Sequence, residues 1–360
     1  MRCVAAVLLA CVAAGLCSCS DTATGAPDPS DARLAAADAS QKQKGENTVP
    51  SAEKTDDATQ TPEKTVETMP EGCVRELLTV PSPSMKRDIR VAVTVPPCYA
   101  KDTDARYPVL YALHGMGASY KVFSDMSPLR KFMVDHPMIL VGFDADRASC
   151  YVDSTEKPES QFTTFFFDEL LPYVAAHYRT DGRQALTGFS MGGYGSLHYL
   201  LARPGAFASA SSLSGAFYLF HAQPGKAPRH AELLGDPEAN AEAYARCDIP
   251  LRLKKFVADG VRLPPLMLAC GTEDRLIAQN RAFVKLLIEQ NHETINTRIK
   301  PQLKGITDNL ERRNKFEKLK AEMIIDFAYL ETPGGHDWPY WKGTSEEIAR
   351  FHWKHFQPAK

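Results

Sequence analysis

Large apolar side chains are spread unevenly along the chain, and the unevenness divides it into three parts. After Met1-Arg2 comes a continuous apolar run over residues 4–16, too short to cross a bilayer as a permanent helix. Between residues 20 and 70 such side chains nearly vanish: Leu34, Val49, Val66 and Met69 stand almost alone and aromatic residues are absent. A segment of this kind cannot bury enough apolar area to offset its ordering entropy, so it reads as a linker. From residue 71 onward the pattern is that of a folded domain.

Within that domain two periodicities alternate. Residues 75–80 and 89–95 read as strands, the second with polar and apolar positions alternating at period two. The uninterrupted apolar run at 107–113 suits a central strand covered on both faces. Helix is expected around 129–134, strand at 138–141, and an amphipathic helix over 162–177, where Phe166, Leu170, Val174 and His177 recur at helical spacing. The alternation continues with a strand ending at 184–187, a helix over 196–202, a strand at 208–213 and a helix beginning at 251. Strand 266–270, helix 276–289, strand 324–330 and helix 346–355 complete it. Strands and helices taking turns in this way predict a single α/β domain, a mostly parallel central sheet flanked by helices. In such sheets reactive residues gather at the carboxyl ends of the strands.

Residues 293–322 interrupt the pattern with a charged stretch containing Arg312, Arg313, Lys315, Lys318 and Lys320. Leu310, Phe316, Leu319 and Met323 give it a partial apolar stripe. Two readings are open: a solvated helical hairpin, and a cap over the site that recognises part of a substrate.

A net charge of −2 gives no support to a nucleic-acid partner. Cys73, Cys98, Cys150, Cys247 and Cys270 fall in the domain, and no spacing among them matches a zinc site. They read mostly as small buried hydrophobes, with a disulfide or two open but unassignable. At the amino end, Leu16, Ser18 and Cys19 resemble a bacterial lipobox, although Cys17 within it is atypical. Residues 1–19 are therefore expected to be a signal peptide ending at a lipidated Cys19. That makes the protein an exported periplasmic or cell-surface lipoprotein, otherwise a secreted one, and the lipid would be its one link to a membrane.

The candidate chemistry lies at Gly188-Phe189-Ser190-Met191-Gly192, between a predicted strand and a predicted helix. A serine flanked by glycines at such a corner is held with its hydroxyl exposed at the start of a helix, where the dipole favours negative charge. Such an elbow needs a base and an orienting carboxylate, which follow it in the order acid, then histidine. Asp274 follows strand 266–270, and His336 follows strand 324–330 in a Gly-Gly-His loop. Glu273 is the substitute for Asp274, whereas Asp337 stands too close to His336 to reach its far nitrogen. In this arrangement His336 takes the proton of Ser190 as it attacks an ester carbonyl, and Asp274 fixes the imidazole tautomer. The N–H groups of Met191 and Met116 would hold the oxyanion.

These pieces, with Tyr107-Pro108-Val109-Leu110-Tyr111-Ala112-Leu113-His114-Gly115, Tyr151-Val152-Asp153-Ser154, Glu169-Leu170-Leu171-Pro172-Tyr173 and Gly335-His336-Asp337-Trp338-Pro339-Tyr340-Trp341, make the chain similar to the esterase D group of α/β-hydrolases. That group includes S-formylglutathione hydrolases, feruloyl and acetylxylan esterases, and mycolyltransferases. The resemblance spans residues 87–351. It implies an α/β-hydrolase fold, a serine carboxylic-ester hydrolase, no metal and no organic cofactor, and a second oxyanion donor from the residue after His-Gly, here Met116. With export it points to acyl or aryl-acyl esters of carbohydrates, with Tyr151, Trp338 and Trp341 as candidate pocket residues. Acyl transfer through the same triad and a non-catalytic glycan-binding lipoprotein are the alternatives. The 62 positions from Asp274 to His336 exceed the family's usual spacing, mostly through the insertion at 293–322.

Overall fold

The apolar run Tyr107–Leu113 forms the strand β4, and all of its residues are buried. Its side chains alternate between two cores. Tyr107, Val109, Tyr111 and Leu113 join one cluster, and Leu110 and Ala112 join the other. This is the period-two signature of a strand covered on both faces. A computed structural model describes residues 64–221 and 230–357; the expected signal peptide, Cys19 and the linker as far as residue 63 lie outside the described residues.

The remaining strands are β1 (Thr65–Thr68), β2 (Val74–Ser82), β3 (Arg87–Val95), β5 (Ile139–Phe143), β6 (Thr180–Gly188), β7 (Ser209–Leu213), β8 (Leu266–Gly271) and β9 (Phe327–Thr332). They form one nine-stranded sheet in the order β1-β2-β3-β5-β4-β6-β7-β8-β9. β1 to β3 run antiparallel, and β3 pairs antiparallel with β5. All pairings from β5 to β9 are parallel. Helices cover both faces. Ser127–Asp135 and Trp338–Phe356 pack on the smaller core; Met191–Ala202 and Ile249–Asp259 pack on the larger one. The fold is thus the α/β sheet that the alternation predicts.

Four details depart from the sequence pattern. Thr65–Thr68 lies within the expected linker yet pairs with Val74–Leu77 as an edge strand, a register made by backbone groups and invisible to hydropathy. The helix expected at 162–177 contains a π-helical stretch, Phe165–Leu170. β9 starts three residues late because Ile325 is held instead by the side chain of Asn291. The final helix begins at Trp338 rather than 346, with Asp337 as its N-cap and Pro339 in its first turn, a placement Pro tolerates.

The insertion is helical, with the helix Asn309–Met323 contributing no buried residue. Its position removes the cap reading. Helix Ile277–Thr294 leaves the carboxyl end of β8 and its 18 residues descend about 27 Å, and β9 then starts beside Leu266, the first residue of β8. Arg298 Nη1 meanwhile donates to the carbonyl of Val257, near the far end of its helix. The insertion therefore sits at the amino edge of the sheet, and the candidate chemistry sits at the other. Cys73, Cys98, Cys150, Cys247 and Cys270 are all free thiols.

Candidate active site

β6 ends at Gly188 and the helix Met191–Ala202 begins three residues later, so the chain must reverse within Phe189 and Ser190. Ser190 takes φ 54 and ψ −117, a left-handed conformation that costs an L-residue on the order of 1–3 kcal/mol. Gly188 and Gly192 permit the corner: a Cβ on Gly188 would strike the carbonyl of Gly192, and one on Gly192 would strike the carbonyl of Leu113. Every residue of the elbow helix except Ala202 is buried, which anchors the strain in the core.

The structure brings the three expected polar residues together. His336 Nε2 lies 2.9 Å from Ser190 Oγ. His336 Nδ1 lies 3.0 Å from each oxygen of Asp274. Each residue sits in the loop just beyond the carboxyl end of its strand, β6, β8 or β9. Asp274 also accepts the N–H of Leu276 at 2.7 Å. Burial would raise its carboxyl pKa, but hydrogen bonds from His336, Ser214 and Leu276 outweigh burial and hold it below the ordinary value. The carboxylate is therefore charged at neutral pH, with Nδ1 of His336 as the donor and Nε2 free to accept the serine proton.

The oxyanion loop is built by an interaction that hydropathy does not reveal. His114 is fully buried, and burial pushes its pKa down, keeping the ring neutral. Its Nε2 accepts the N–H of Ala145 at 3.0 Å, so the proton is on Nδ1, which donates to the carbonyl of Gly115 at 2.8 Å. In a trans peptide the C=O and the following N–H point in opposite directions. Clamping the Gly115 carbonyl toward His114 therefore aims the Met116 N–H the other way, and among the described residues that N–H donates to no turn or loop carbonyl. Met191, as the first residue of its helix, likewise has an N–H without an intrahelical acceptor.

Tyr151 is corrected as a pocket residue. It is fully buried, and its hydroxyl donates to the carbonyl of His114 at 2.8 Å, so it braces the oxyanion loop from behind and offers no surface to a ligand. Trp341 is buried as well, stacked on Phe189 at 4.4 Å and edge-on to His336 at 5.1 Å. Trp338 is 44% exposed and meets Phe189 edge-on at 5.2 Å. Met116 is 51% exposed, and Phe189 also packs against its neighbour Gly115. Among the described residues, Trp338 and Met116 are thus the large exposed apolar side chains in the surroundings of Phe189, the residue before Ser190. His198 is buried between Thr163 and Arg252 and takes no part in the triad.

Comparison with known proteins agrees with this geometry. The family model described as "Putative esterase" matches residues 82–351. Esterase Rv1288 of Mycobacterium tuberculosis is 40% identical over 134 residues, 35% of this chain and 28% of that protein, so the chain spans little more than a quarter of that relative. Among solved structures, an S-formylglutathione hydrolase from Agrobacterium tumefaciens superposes with a TM-score of 0.62 at 20% identity, covering 81% of this chain and 99% of that one. A ferulic acid esterase from Anaeromyces mucronatus gives 0.52 at 17% identity, covering 88% and 100%. At such identities the structures share the fold.

Proposed function

The chain belongs to the esterase family, and from that premise we propose that it is an extracytoplasmic serine esterase acting on acyl or aryl-acyl esters of carbohydrates through a covalent acyl-enzyme. The observation that carries the chemistry is the unbroken line from Ser190 Oγ through His336 to Asp274, at 2.9 Å and 3.0 Å.

In this reading His336 Nε2 takes the hydroxyl proton as Ser190 Oγ bonds to the ester carbonyl carbon. The carbonyl oxygen becomes an oxyanion facing the N–H groups of Met191 and Met116, aligned before reaction so that no reorganisation is required. Collapse breaks the bond to the alcohol oxygen, which receives the proton from His336. Water then attacks the acyl-enzyme, giving its proton to the same nitrogen, and the acid leaves as Ser190 recovers its hydrogen. Asp274 keeps its negative charge throughout and stabilises the transient imidazolium.

The substrate class draws on different support. Trp338 and Met116 offer an apolar surface on which an aryl-acyl group can rest. The ferulic acid esterases of like fold act, by name, on such a group. Location outside the cytoplasm rests on the apolar run at 4–16 and on Cys19.

A fluorophosphonate probe tests the chemistry: it should label the wild-type protein and fail to label folded Ser190→Ala. Labelling that survives in Ser190→Ala would overturn the assignment. Release of hydroxycinnamate or acetate from substituted oligosaccharides, compared with short p-nitrophenyl esters, tests the substrate. Product analysis with an added acceptor alcohol separates hydrolysis from acyl transfer.

A further inference from the structure

Cys150 and Tyr151 stand side by side at φ 53 and 62, in the left-handed region. For a bulky aromatic that backbone is an outlier, and such strain persists only where the surroundings over-determine it. The Tyr151 N–H donates to Ser149 Oγ at 3.2 Å, and the Tyr151 carbonyl accepts the Thr163 hydroxyl at 3.1 Å. The ring passes the elbow helix at Gly195, where a Cβ would lie 2.5 Å from it. It ends against the oxyanion loop, edge-on to the His114 ring at 5.9 Å, with its hydroxyl on the His114 carbonyl. Tyr151 therefore touches both segments that carry the oxyanion donors, and Thr163 holds its backbone.

Thr163 is the last link of a hydrogen-bonded series whose direction is fixed by the groups in it. Its N–H donates to Asp153 Oδ1 at 2.8 Å, which sets its place. Its one hydroxyl hydrogen goes to the Tyr151 carbonyl, so Oγ1 accepts from His198 Nε2, 3.1 Å away. With the proton on Nε2, Nδ1 of His198 is bare, and Arg252 Nη1 stands 3.0 Å from it; a guanidinium only donates. Each donor thus meets an acceptor from Arg252 through His198 and Thr163 to Tyr151. Burial, then the charge of Arg252, holds the His198 pKa well below its ordinary value, which keeps the ring neutral as this series requires. His198 lies on the elbow helix two turns beyond Met191. Arg252 lies on the neighbouring helix Ile249–Asp259, and its Nη1 also holds the carbonyl of Arg246 at 2.8 Å.

We propose that Arg252, His198 and Thr163 are positioning residues for the oxyanion site. The series locks the Tyr151 carbonyl, and Tyr151 passes the constraint through its hydroxyl to the His114 carbonyl and so to the Met116 N–H. The inference rests on the reading of Ser190, His336 and Asp274 as catalytic and of Met116 as an oxyanion donor.

The test compares p-nitrophenyl acetate hydrolysis with inhibition by a trifluoromethyl ketone, whose adduct on Ser190 puts a charged oxygen where the oxyanion forms. Rates are taken per Ser190 labelled to completion by a fluorophosphonate, so that only folded enzyme counts. Thr163→Val removes the hydroxyl and keeps the branched shape. It should lower kcat by about three- to tenfold, the worth of one neutral hydrogen bond, leave KM near the wild-type value and weaken the ketone by the same factor. Thr163→Ser restores the hydroxyl and should recover most of the loss. Arg252→Met, at the half-buried far end of the series, loses the donor and keeps the apolar stem. It should act in the same direction, and it carries the test where Thr163→Val does not fold. Thr163→Val added to Tyr151→Phe should cost little further, because the series acts through the tyrosine hydroxyl. Unchanged kcat and ketone affinity in Thr163→Val, or a change confined to KM, overturns the proposal. The same result in Arg252→Met alone overturns the part given to Arg252 and His198, and full additivity with Tyr151→Phe overturns the route through Tyr151. A wild-type protein that neither hydrolyses esters nor takes a fluorophosphonate at Ser190 overturns the esterase reading itself and the proposal with it.

Discussion

His114 Nδ1 donates to the carbonyl of Gly115 one peptide bond away, at 2.8 Å, and that short local contact sets the direction of the Met116 N–H. The imidazole is fixed in turn by the Ala145 N–H on one side, and the Tyr151 hydroxyl holds the His114 carbonyl on the other. His114→Ala should therefore lower kcat by about 10²-fold, comparable to losing an oxyanion donor, while KM changes little. Tyr151→Phe leaves a buried carbonyl without its donor and should cost about 1–2 kcal/mol in stability, with a smaller loss of kcat. Denaturant titration alongside steady-state kinetics separates the two effects.

Ser190 sits at φ 54 with a Cβ, and glycine suffers no penalty there. Ser190→Gly should abolish ester hydrolysis yet stabilise the fold by about 1 kcal/mol through relief of strain. Ser190→Ala, which keeps the Cβ, should be equally inactive without the gain. The midpoint of thermal unfolding distinguishes them, and equal midpoints would mean the corner stores no strain.

His352 of the last helix is fully buried, with its nitrogens 2.8 Å from the hydroxyls of Ser209 and Ser211 in β7. Burial, then the charge of His355, pushes its pKa down to about 3. The folded state therefore binds fewer protons than the unfolded state between that value and the ordinary 6.5. Stability contributed by neutral His352 is fully present above about pH 6.5, is lost as pH falls toward 3, and changes no further below it. His352→Gln, which keeps a donor and an acceptor but cannot titrate, should flatten the fall in unfolding midpoint between pH 7 and 4. A slope equal to wild type would show that other groups carry the acid sensitivity.

The insertion makes a contrasting case, because its position predicts no effect. Arg312→Glu and Lys315→Glu on the exposed helix Asn309–Met323 should leave kcat/KM and the ranking of esters unchanged, since that helix belongs to the edge of the sheet away from Ser190. A changed ranking would return the insertion to the site.

Much of this architecture is legible in sequence because burial writes itself into periodicity. The run at 107–113 suits a strand covered on both faces, as the structure has it, and Ser190, Asp274 and His336 each follow the end of a predicted strand. What the sequence hides is direction. Tyr151 and Trp341 are aromatic residues in stretches that carry the family resemblance, the second five positions after His336, yet one points beneath the oxyanion loop and the other into the core. Hydropathy cannot distinguish an aromatic that packs a loop from one that faces a ligand. The polar contacts of His198 and His114 are hidden for the same reason: a buried histidine leaves no periodic signal. The insertion's side of the sheet was also hidden, because charge composition says that a helix is solvated and not which edge it borders.

Among the described residues, Trp338 remains as the exposed aromatic side chain packed against Phe189, and it bears on substrate choice. It stands edge-on to Phe189 and to Trp341, at 5.2 Å and 5.4 Å, so its ring is fixed before any ligand arrives. An aryl-acyl group stacked on a fixed ring gains about 0.5–1.5 kcal/mol beyond its buried area, and removing the ring forfeits the area as well. Trp338→Ala should therefore lower kcat/KM for hydroxycinnamoyl esters by roughly 10–100-fold. The effect on acetyl esters should be within about threefold, because a methyl group covers little of the indole face. Trp338→Phe should recover most of the aryl preference. Measured on a matched pair of esters sharing one alcohol, equal losses for both acyl groups would place the aryl group elsewhere and leave Trp338 as support for the His336 loop.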